Sequence, residues 1–440
     1  MRVLRYIQGN IIVEGDPVYL NQLESMNSFP AYMYKQIINH LDASGESYRD
    51  IAKRFLTPPR LETSFKLRDY QSDALKAWNK SDNRGIIVLP TGSGKTVLAV
   101  KAIEEQQCST LVVVPTIVLV DQWSEVLEQA FNVPIGALGG GREEIEPITV
   151  STYDSARLRT RRLGNIFDFI IFDEVHHLSA PSNSRIAERY IAKKRLGLTA
   201  TIPKAESLLM VLEELVGPKV YELSVTDLAG SHLADFTVKT MRLPLTQSEQ
   251  YEYNKQYDTY RNYLKSRNIQ IRSPRDYLQF VKRSGTDPQA RRALTARNQA
   301  MNIALNSSSK IAYLKQLLKS NRDEKTLIFT SHNKLVYTLS KELLIPAITH
   351  KTPREEREEI LGKFHTGSYK RILTSRVLDE GVDVPDASMA VILSGSGSNR
   401  QFVQRLGRIL RKAPGKEAVL FELVSAGTAE VYMSYRRRQN

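Results

Sequence analysis

The sequence predicts an α/β protein with two doubly wound parallel sheets, a helical insert between them and a small α+β unit in front. Three observations predict it. Short runs rich in Val and Ile alternate with helical segments from Phe65 to about Tyr221, and again from about Asn306. That is the pattern of buried parallel strands joined by crossover helices. Residues 247–305 break the alternation and read as helical throughout. Residues 1–60 carry short strand-like runs broken by Gly9-Asn10 and Gly15-Asp16, which are turn pairs.

The N-terminal strands are expected at Val3–Ile7, Ile11–Val13 and Pro17–Tyr19, with a short helix over Ser47–Phe55 that Pro58-Pro59 would end. In the first α/β half, strands are expected at Gly85–Leu89, Leu111–Val114, Ile148–Val150, Phe169–Phe172 and Arg195–Leu198. In the second they are expected at Thr326–Phe329, Arg371–Leu373, Ala390–Leu393 and Ala418–Glu422. The domain boundaries that follow are 1–60, 63–240, 247–305 and 306–440. Within 247–305, Tyr253, Tyr257, Tyr260 and Leu264 fall at helical spacing. Eleven basic residues face only five acidic ones between 247 and 300. Such an insert can grip a phosphate backbone, or its tyrosines can pack a helical hairpin while its charges face water.

Composition narrows the function classes. With 41% hydrophobic and 25% charged residues over 440 positions, the chain has the makeup of a globular protein of two or three domains. No apolar run approaches the roughly 20 residues a membrane helix needs, and the start Met1–Arg5 is not followed by a signal-peptide pattern. Cys108 is the only cysteine, which excludes an internal disulfide, a cysteine zinc site and an iron–sulfur cluster and points to a reducing cytoplasm. A net charge of +14 attracts polyanions.

Three constellations carry chemistry. After the apolar run Ile86–Val88 comes Leu89-Pro90-Thr91-Gly92-Ser93-Gly94-Lys95-Thr96. Here Gly92 and Gly94 let backbone N–H groups curl toward a triphosphate, with Thr91 and Ser93 in the same turn. Lys95 can reach the β- and γ-phosphates, and Thr96 can offer its hydroxyl to Mg²⁺. Leu89 stands where the strict phosphate-loop pattern has its first Gly. The strand Phe169–Phe172 delivers Asp173-Glu174-Val175-His176-His177. Asp173 is expected to hold Mg²⁺ through water, and Glu174 to orient or deprotonate an attacking water. No further His or Cys lies at metal-ligand spacing, so zinc is rejected. Third, Gln404, Arg408 and Arg411 share one face of a helix by their i, i+4, i+7 spacing. Two guanidiniums there can stabilise a departing γ-phosphate.

Taken in order, these motifs resemble superfamily 2 helicases over nearly the whole chain. Leu67-Arg68-Asp69-Tyr70-Gln71 resembles the adenine-reading Q motif, in which Arg68 and Gln71 would contact the nucleotide. The Lys95 turn is motif I in its helicase form. Pro115-Thr116 with Gln122-Trp123 is similar to motif Ia, and Ser151-Thr152-Tyr153-Asp154 to the strand-contacting motif after it. Leu198-Thr199-Ala200-Thr201 resembles motif III, where Thr199 and Thr201, with His176, would couple hydrolysis to movement. Phe329–Asn333 resembles motif IV and contributes Ser331. Thr374–Pro385 is a full motif V, with Thr374 and Arg376 toward DNA and Gly381 and Asp383 toward the nucleotide; 404–411 is motif VI.

Within that superfamily the sequence resembles the archaeal XPB family of DNA repair helicases. The doubled histidine of Asp173–His177 carries the resemblance. So do Ile345–His350 with Arg354–Leu361, Leu378–Gly381, and Ser394–Ser398. The resemblance implies two RecA-like domains, a thumb-like insert and an N-terminal damage-recognition-like domain. It implies 3′–5′ DNA helicase or duplex translocase activity with ATP and Mg²⁺ between the two halves. It further implies a role in nucleotide excision repair or transcription-linked opening, DNA as partner, and a Bax-type nuclease as a second partner. One departure stands out: Ile202–Ser207 replaces the Arg-Glu-Asp loop usual after motif III, which weakens the expectation of strand separation relative to translocation. The rival readings are an RNA helicase, and a DNA-binding scaffold for a repair nuclease with weak unwinding.

Overall fold

The computed structural model describes residues 2–15, 27–203, 205–224, 227, 236–375, 387–394 and 418–438. The chain divides into two compact units, Met1–Leu228 and Ala229–Asn440, each described by itself.

The first unit opens with β1 (Arg2–Ile7) and β2 (Asn10–Glu14), an antiparallel hairpin. Gln8 and Gly9 between them both have positive φ, as a two-residue type I′ turn requires. β3 (Ser28–Pro30) and β4 (Tyr48–Asp50) complete a sheet of order β3-β2-β1-β4. Leu4, Ile11, Val13 and Phe29 pack there against Tyr34, Ile37 and Leu41 of the helix Tyr34–Ala43. Two expectations change here. The helix expected over 47–55 is instead β4, paired parallel to β1; strand pairing overrides a weak local preference. The boundary at residue 60 is not a break between compact units. The Tyr6 hydroxyl lies 2.7 and 2.9 Å from the carbonyls of Thr160 and Arg189. Arg54 and Leu56 donate to the Asn165 and Ile166 carbonyls. A Cβ on Gly164 would sit 1.8 Å from the Tyr6 oxygen, so only glycine permits this docking. The strand expected at 17–19 lies outside the described residues.

The rest of this unit is an eight-stranded sheet: β5 (Arg84–Val88), β6 (Thr110–Val114), β7 (Gly136–Gly139), β8 (Arg142–Glu143), β9 (Ile148–Thr152), β10 (Phe169–Asp173), β11 (Lys194–Thr199) and β12 (Lys219–Glu222). Their order is β12-β5-β11-β10-β6-β9-β7-β8, parallel except for β7–β8. β6, β9 and β10 are buried along their whole length, as strands covered by helices on both faces must be. At the amino end of β11 the fully buried Arg195 donates to the carbonyls of Ala187, Tyr190, Ala192 and Leu215. These lie at or just beyond the carboxyl ends of the helices Pro181–Arg189 and Glu206–Leu215, where a cation is favoured. Arg195→Met leaves four carbonyls unsatisfied. It should cost on the order of 3 kcal/mol after the lost charge burial is credited, read as a lower denaturation midpoint; an unchanged midpoint would contradict this role.

The second unit holds β13 (Phe236–Leu243), β14 (Thr326–Phe329), β15 (Ala347–Ile348), β16 (Arg371–Thr374), β17 (Met389–Ile392) and β18 (Ala418–Ser425). Their order is β13-β18-β17-β14-β16-β15, parallel throughout. β13 spans the boundary expected at residue 240. It pairs with β18 over eight residues, from Phe236↔Ala418 to Leu243↔Ser425. The chain therefore joins the second sheet before the helical insert, and the insert is an excursion between β13 and β14.

The insert consists of helices Gln247–Ser266, Pro274–Arg283 and Pro288–Leu305. Thr246 with Glu249 and Ser273 with Asp276 form capping boxes, and Asp287 caps the third. Tyr260 and Tyr263 pack against Phe280, with ring centroids 5.9 and 6.0 Å apart, over Ala290 and Ala293. The tyrosine stripe is thus largely hairpin core. Of the basic residues, Lys255, Arg261, Lys265, Arg267, Arg272, Arg275, Lys282, Arg283, Arg291 and Arg292 are exposed.

Candidate active site

Open parallel sheets place ligands at the carboxyl ends of their strands. In the first unit β5 ends at the phosphate-loop sequence, β11 at Thr199, β10 at Asp173, β6 at Pro115-Thr116 and β9 at Thr152. Because β11 lies between β5 and β10, motif III stands between the anion loop and the acidic pair.

The loop is built for a phosphate chain. Gly92 and Gly94 have φ of +83° and +79°, a region that costs an L side chain energy. No side chain caps the helix Lys95–Gln106 that Gly94 begins, which leaves its first-turn N–H groups aimed outward for an anion. The Lys95 amine donates to the carbonyls of Leu89 and Pro90, at 3.1 and 3.3 Å. Ser93 is buried and its hydroxyl donates to the Pro90 carbonyl at 2.7 Å. The buried Thr91 hydroxyl has no hydrogen-bond partner among the described residues. A left-handed glycine cradle, an amine within the turn and an orphaned hydroxyl together fit a nucleotide phosphate.

Gln71 does something the sequence did not suggest. Its amide donates to the Ser93 and Gly94 carbonyls (2.8 and 3.1 Å), and its carbonyl accepts from the Arg68 N–H at 2.8 Å. Tyr70 donates to the Ser93 carbonyl at 2.6 Å, and the Arg68 guanidinium reaches the Tyr70 hydroxyl at 3.2 Å. Gln71, buried, braces the phosphate loop from behind. A Cβ on Gly94 would meet its amide nitrogen at 2.5 Å.

Asp173 is 8% exposed. Its Oδ2 accepts from the Trp123 indole at 3.0 Å and its Oδ1 from the Glu174 N–H at 3.1 Å. Burial, with the neighbouring Glu174 charge, pushes its carboxyl up to about 6, against the opposing pull of Lys95 and the Trp123 N–H. Glu174 has φ +51° and ψ +55°, a strained region for a residue with a side chain, of the kind that clusters at active sites. The Tyr153 hydroxyl donates to the Asp173 carbonyl at 2.9 Å and lies 3.4 Å from that of Glu174, holding this turn. Among the described residues no three His, Cys, Asp or Glu side chains gather to hold a metal. A cation here would draw mainly on phosphate and water, with Asp173 and Thr96 as protein oxygens. That donor set suits Mg²⁺.

The residues expected to couple hydrolysis to movement lie together. His176 Nδ1 lies 3.0 Å from the Thr199 hydroxyl, which lies 3.2 Å from Glu174 Oε2. The Thr201 N–H donates to the same hydroxyl at 3.2 Å. Glu174, His176 and motif III therefore share one hydrogen-bonded cluster.

The residues expected at DNA differ in what they expose. Pro115 is partly exposed, and Thr116 caps the helix Ile117–Phe131 through the Leu119 N–H. Thr152 caps Tyr153–Leu158 through the Ser155 N–H, whereas Ser151 is fully buried with its hydroxyl on the Thr152 carbonyl. In the second unit the Ser331 N–H donates to the Ser394 hydroxyl at 3.0 Å, and the buried Thr374 hydroxyl donates to the Ser375 carbonyl. Arg376, Gly381, Asp383, Gln404, Arg408 and Arg411 lie outside the described residues. Sequence reasoning missed Trp123 and Tyr153 as site residues. The available signal was that buried indole N–H and phenol groups need partners, and both sit just downstream of motif turns.

Residues 64–204 match a family model described as type III restriction enzyme, res subunit, and residues 309–413 one described as helicase conserved C-terminal domain. The chain is 41% identical to the DNA 3'-5' translocase XPB2 of Sulfurisphaera tokodaii, over all of both chains. It is 31% identical to the DNA 3'-5' helicase XPB of Mycobacterium tuberculosis, over 86% of this chain and 64% of that one. It is 27% identical to the general transcription and DNA repair factor IIH helicase/translocase subunit XPB/SSL2 of Saccharomyces cerevisiae, over 86% of this chain and 44% of that one. It therefore spans the whole of the first relative but less than two thirds of the other two. Among solved structures, the Pyrococcus furiosus Hef helicase domain superposes with a TM-score of 0.55 at 20% identity, covering 85% of this chain and 98% of that one. That likeness bears on the fold alone, and the fold is the two-domain RecA-like one.

Proposed function

The chain belongs to the XPB family of DNA 3′–5′ helicases and translocases, and we propose that it is an ATP-driven 3′–5′ motor on duplex DNA acting in nucleotide excision repair. The observation that carries the proposal is the convergence of the Lys95 loop and the Asp173-Glu174 turn on the same end of one sheet, with Thr199 between them.

On this reading the loop N–H groups and Lys95 bind the triphosphate, Lys95 exchanging its bonds to the Leu89 and Pro90 carbonyls for phosphate oxygens. Thr96 and Asp173 would hold Mg²⁺, which would supply charge neutralisation for the phosphates. Glu174 takes the proton of a water whose oxygen attacks the γ-phosphorus as the bond to ADP breaks. Loss of the γ-phosphate is felt at Glu174, and through Thr199 and His176 at motif III. Arg68 and Gln71 brace the loop from behind, and Gly381 and Asp383 are proposed to contribute from motif V. Pro115, Thr116, Thr152, Ser331 and Arg376 are the proposed DNA-side residues, with the buried Ser151 and Thr374 supporting the turns beside them. Family resemblance adds a Bax-type nuclease as a partner and a cytoplasmic setting. No helix among the described residues is long and apolar enough to cross a membrane.

Gln404, Arg408 and Arg411 complete the chemistry by meeting charge that develops on the γ-phosphate. Arg411→Ala should lower kcat by roughly 10³-fold with little change in KM for ATP; a change confined to KM would argue against this role.

Replacement of the Arg-Glu-Asp loop by Ile202–Ser207 favours translocation over strand separation. The test is displacement of the third strand from a DNA triplex, run beside separation of a 3′-tailed duplex. Triplex displacement that needs ATP, with slower strand separation, is the expected result. Failure to displace the third strand, or hydrolysis stimulated by RNA and not by DNA, would overturn the proposal.

A further inference from the structure

Two hydrogen bonds tie the acidic pair to helices that begin at the two turns proposed to face DNA. The turn Pro115-Thr116 begins the helix Ile117–Phe131. Two helical turns on, about 10 Å at the usual rise, Trp123 leaves that helix and donates its indole N–H to the Asp173 carboxylate. The turn Ser151-Thr152 begins the helix Tyr153–Leu158. Its first residue, Tyr153, donates to the backbone carbonyl of the same Asp173 and reaches that of Glu174. Each proposed DNA-side turn of the first unit therefore sends one side chain to the acidic pair, one to the carboxylate and one to the main chain.

The surroundings make both connections stiff. Trp123 is 2% exposed, so a shift of its helix has no solvent to absorb it. Thr116 fixes the start of that helix by its cap. The Tyr153 ring lies 6.5 Å from Phe172 and 5.5 Å from His177, wedged between the strand that carries Asp173 and the histidine pair that follows it. The backbone that Tyr153 holds is the left-handed turn at Glu174, a conformation that costs a residue with a side chain. A buried indole could satisfy its N–H on any carbonyl; this one takes the carboxylate assigned to the cation, and bonds to a charged group are the stronger kind.

We propose that Trp123 and Tyr153 are positioning residues that couple DNA at the 115–116 and 151–152 turns to nucleotide at Asp173 and Glu174. The inference rests on the DNA-motor reading and adds the route of coupling to it. Coupling between two ligands is reciprocal: nucleotide must change DNA affinity by the same factor that DNA changes nucleotide affinity.

The test uses the full chain and a fluorescently labelled duplex DNA, with affinity measured by anisotropy with and without Mg²⁺ and a non-hydrolysable ATP analogue. The wild type is expected to show a ratio of the two affinities of about 5- to 150-fold, in the usual range of coupling energies. Trp123→Phe keeps an aromatic ring and removes the N–H; Tyr153→Phe removes one oxygen. Each should bring the ratio several-fold toward one while DNA affinity without nucleotide stays at the wild-type value. Tyr153→Phe decides the matter if the tryptophan variant does not fold. A wild-type ratio retained in both variants, or a wild-type ratio of one, overturns the coupling route. A wild type that binds DNA yet shows no DNA-stimulated phosphate release overturns the motor reading instead.

Discussion

Lys95→Ala should abolish ATP hydrolysis, with a loss of at least about 10³-fold in kcat expected if its amine meets the transferring phosphoryl group. The amine lies within the glycine turn, 3.1 Å from the Leu89 carbonyl, and opposes protonation of the buried Asp173. Truncation removes the only Lys or Arg side chain of the Leu89–Thr96 loop. DNA binding at low salt should survive, since it draws on many of the 62 Lys and Arg residues and weakens by small steps as single phosphate contacts are lost. Phosphate release and DNA anisotropy, measured on the same preparation, check both halves. Wild-type hydrolysis in the variant would refute the site.

Asp173→Asn should also abolish hydrolysis, and in the absence of nucleotide it should make the protein more stable. Burial raises the Asp173 carboxyl from its ordinary 3.8 to about 6 in the folded state. The folded protein then binds the proton more tightly than the unfolded chain does. Above pH 6 the group is charged in both states, and its burial is a full cost. Between about pH 6 and 4 the folded state takes up the proton first and the cost is relieved. Stability of the wild type therefore rises from this group as pH falls through that window, by on the order of 2–3 kcal/mol. The asparagine variant lacks that dependence. In a chelator, its thermal midpoint should exceed that of the wild type at pH 7.5, and the gap should narrow as pH falls through 6 toward 4. Equal midpoints at pH 7.5 would contradict the buried, costly carboxylate. The same trade of stability for function is common where a charge must wait for its ligand.

Much of the site was legible because the strands that deliver it are continuous apolar runs. β10 ends where Asp173 begins its motif, and β5 runs straight into the glycine turn. Buried parallel strands leave little choice of period or register, so motif and strand end could be read together. The misreadings fall where tertiary pairing decides. Tyr48–Asp50 has no strong strand pattern of its own and becomes β4 because β1 offers an edge. β13 alternates exposed and half-buried residues, as an edge strand does, and its membership in the second sheet depends on pairing with β18 some 180 residues away. Gln71 matched an adenine-reading motif. Its place behind the phosphate loop depends on how close the Asp69–Lys80 helix comes to Ser93 and Gly94, which no local pattern encodes. Trp123 and Tyr153 lie within motifs whose expected role is at DNA. Their side chains point the other way, toward Asp173.

The measurement closest to the centre of this account is steady-state phosphate release by the purified chain with ATP and Mg²⁺, titrated with duplex DNA. A rate that rises with DNA to saturation, and falls to background on Lys95→Ala, is the predicted result. A wild-type rate that stays at background across the whole DNA titration would contradict it.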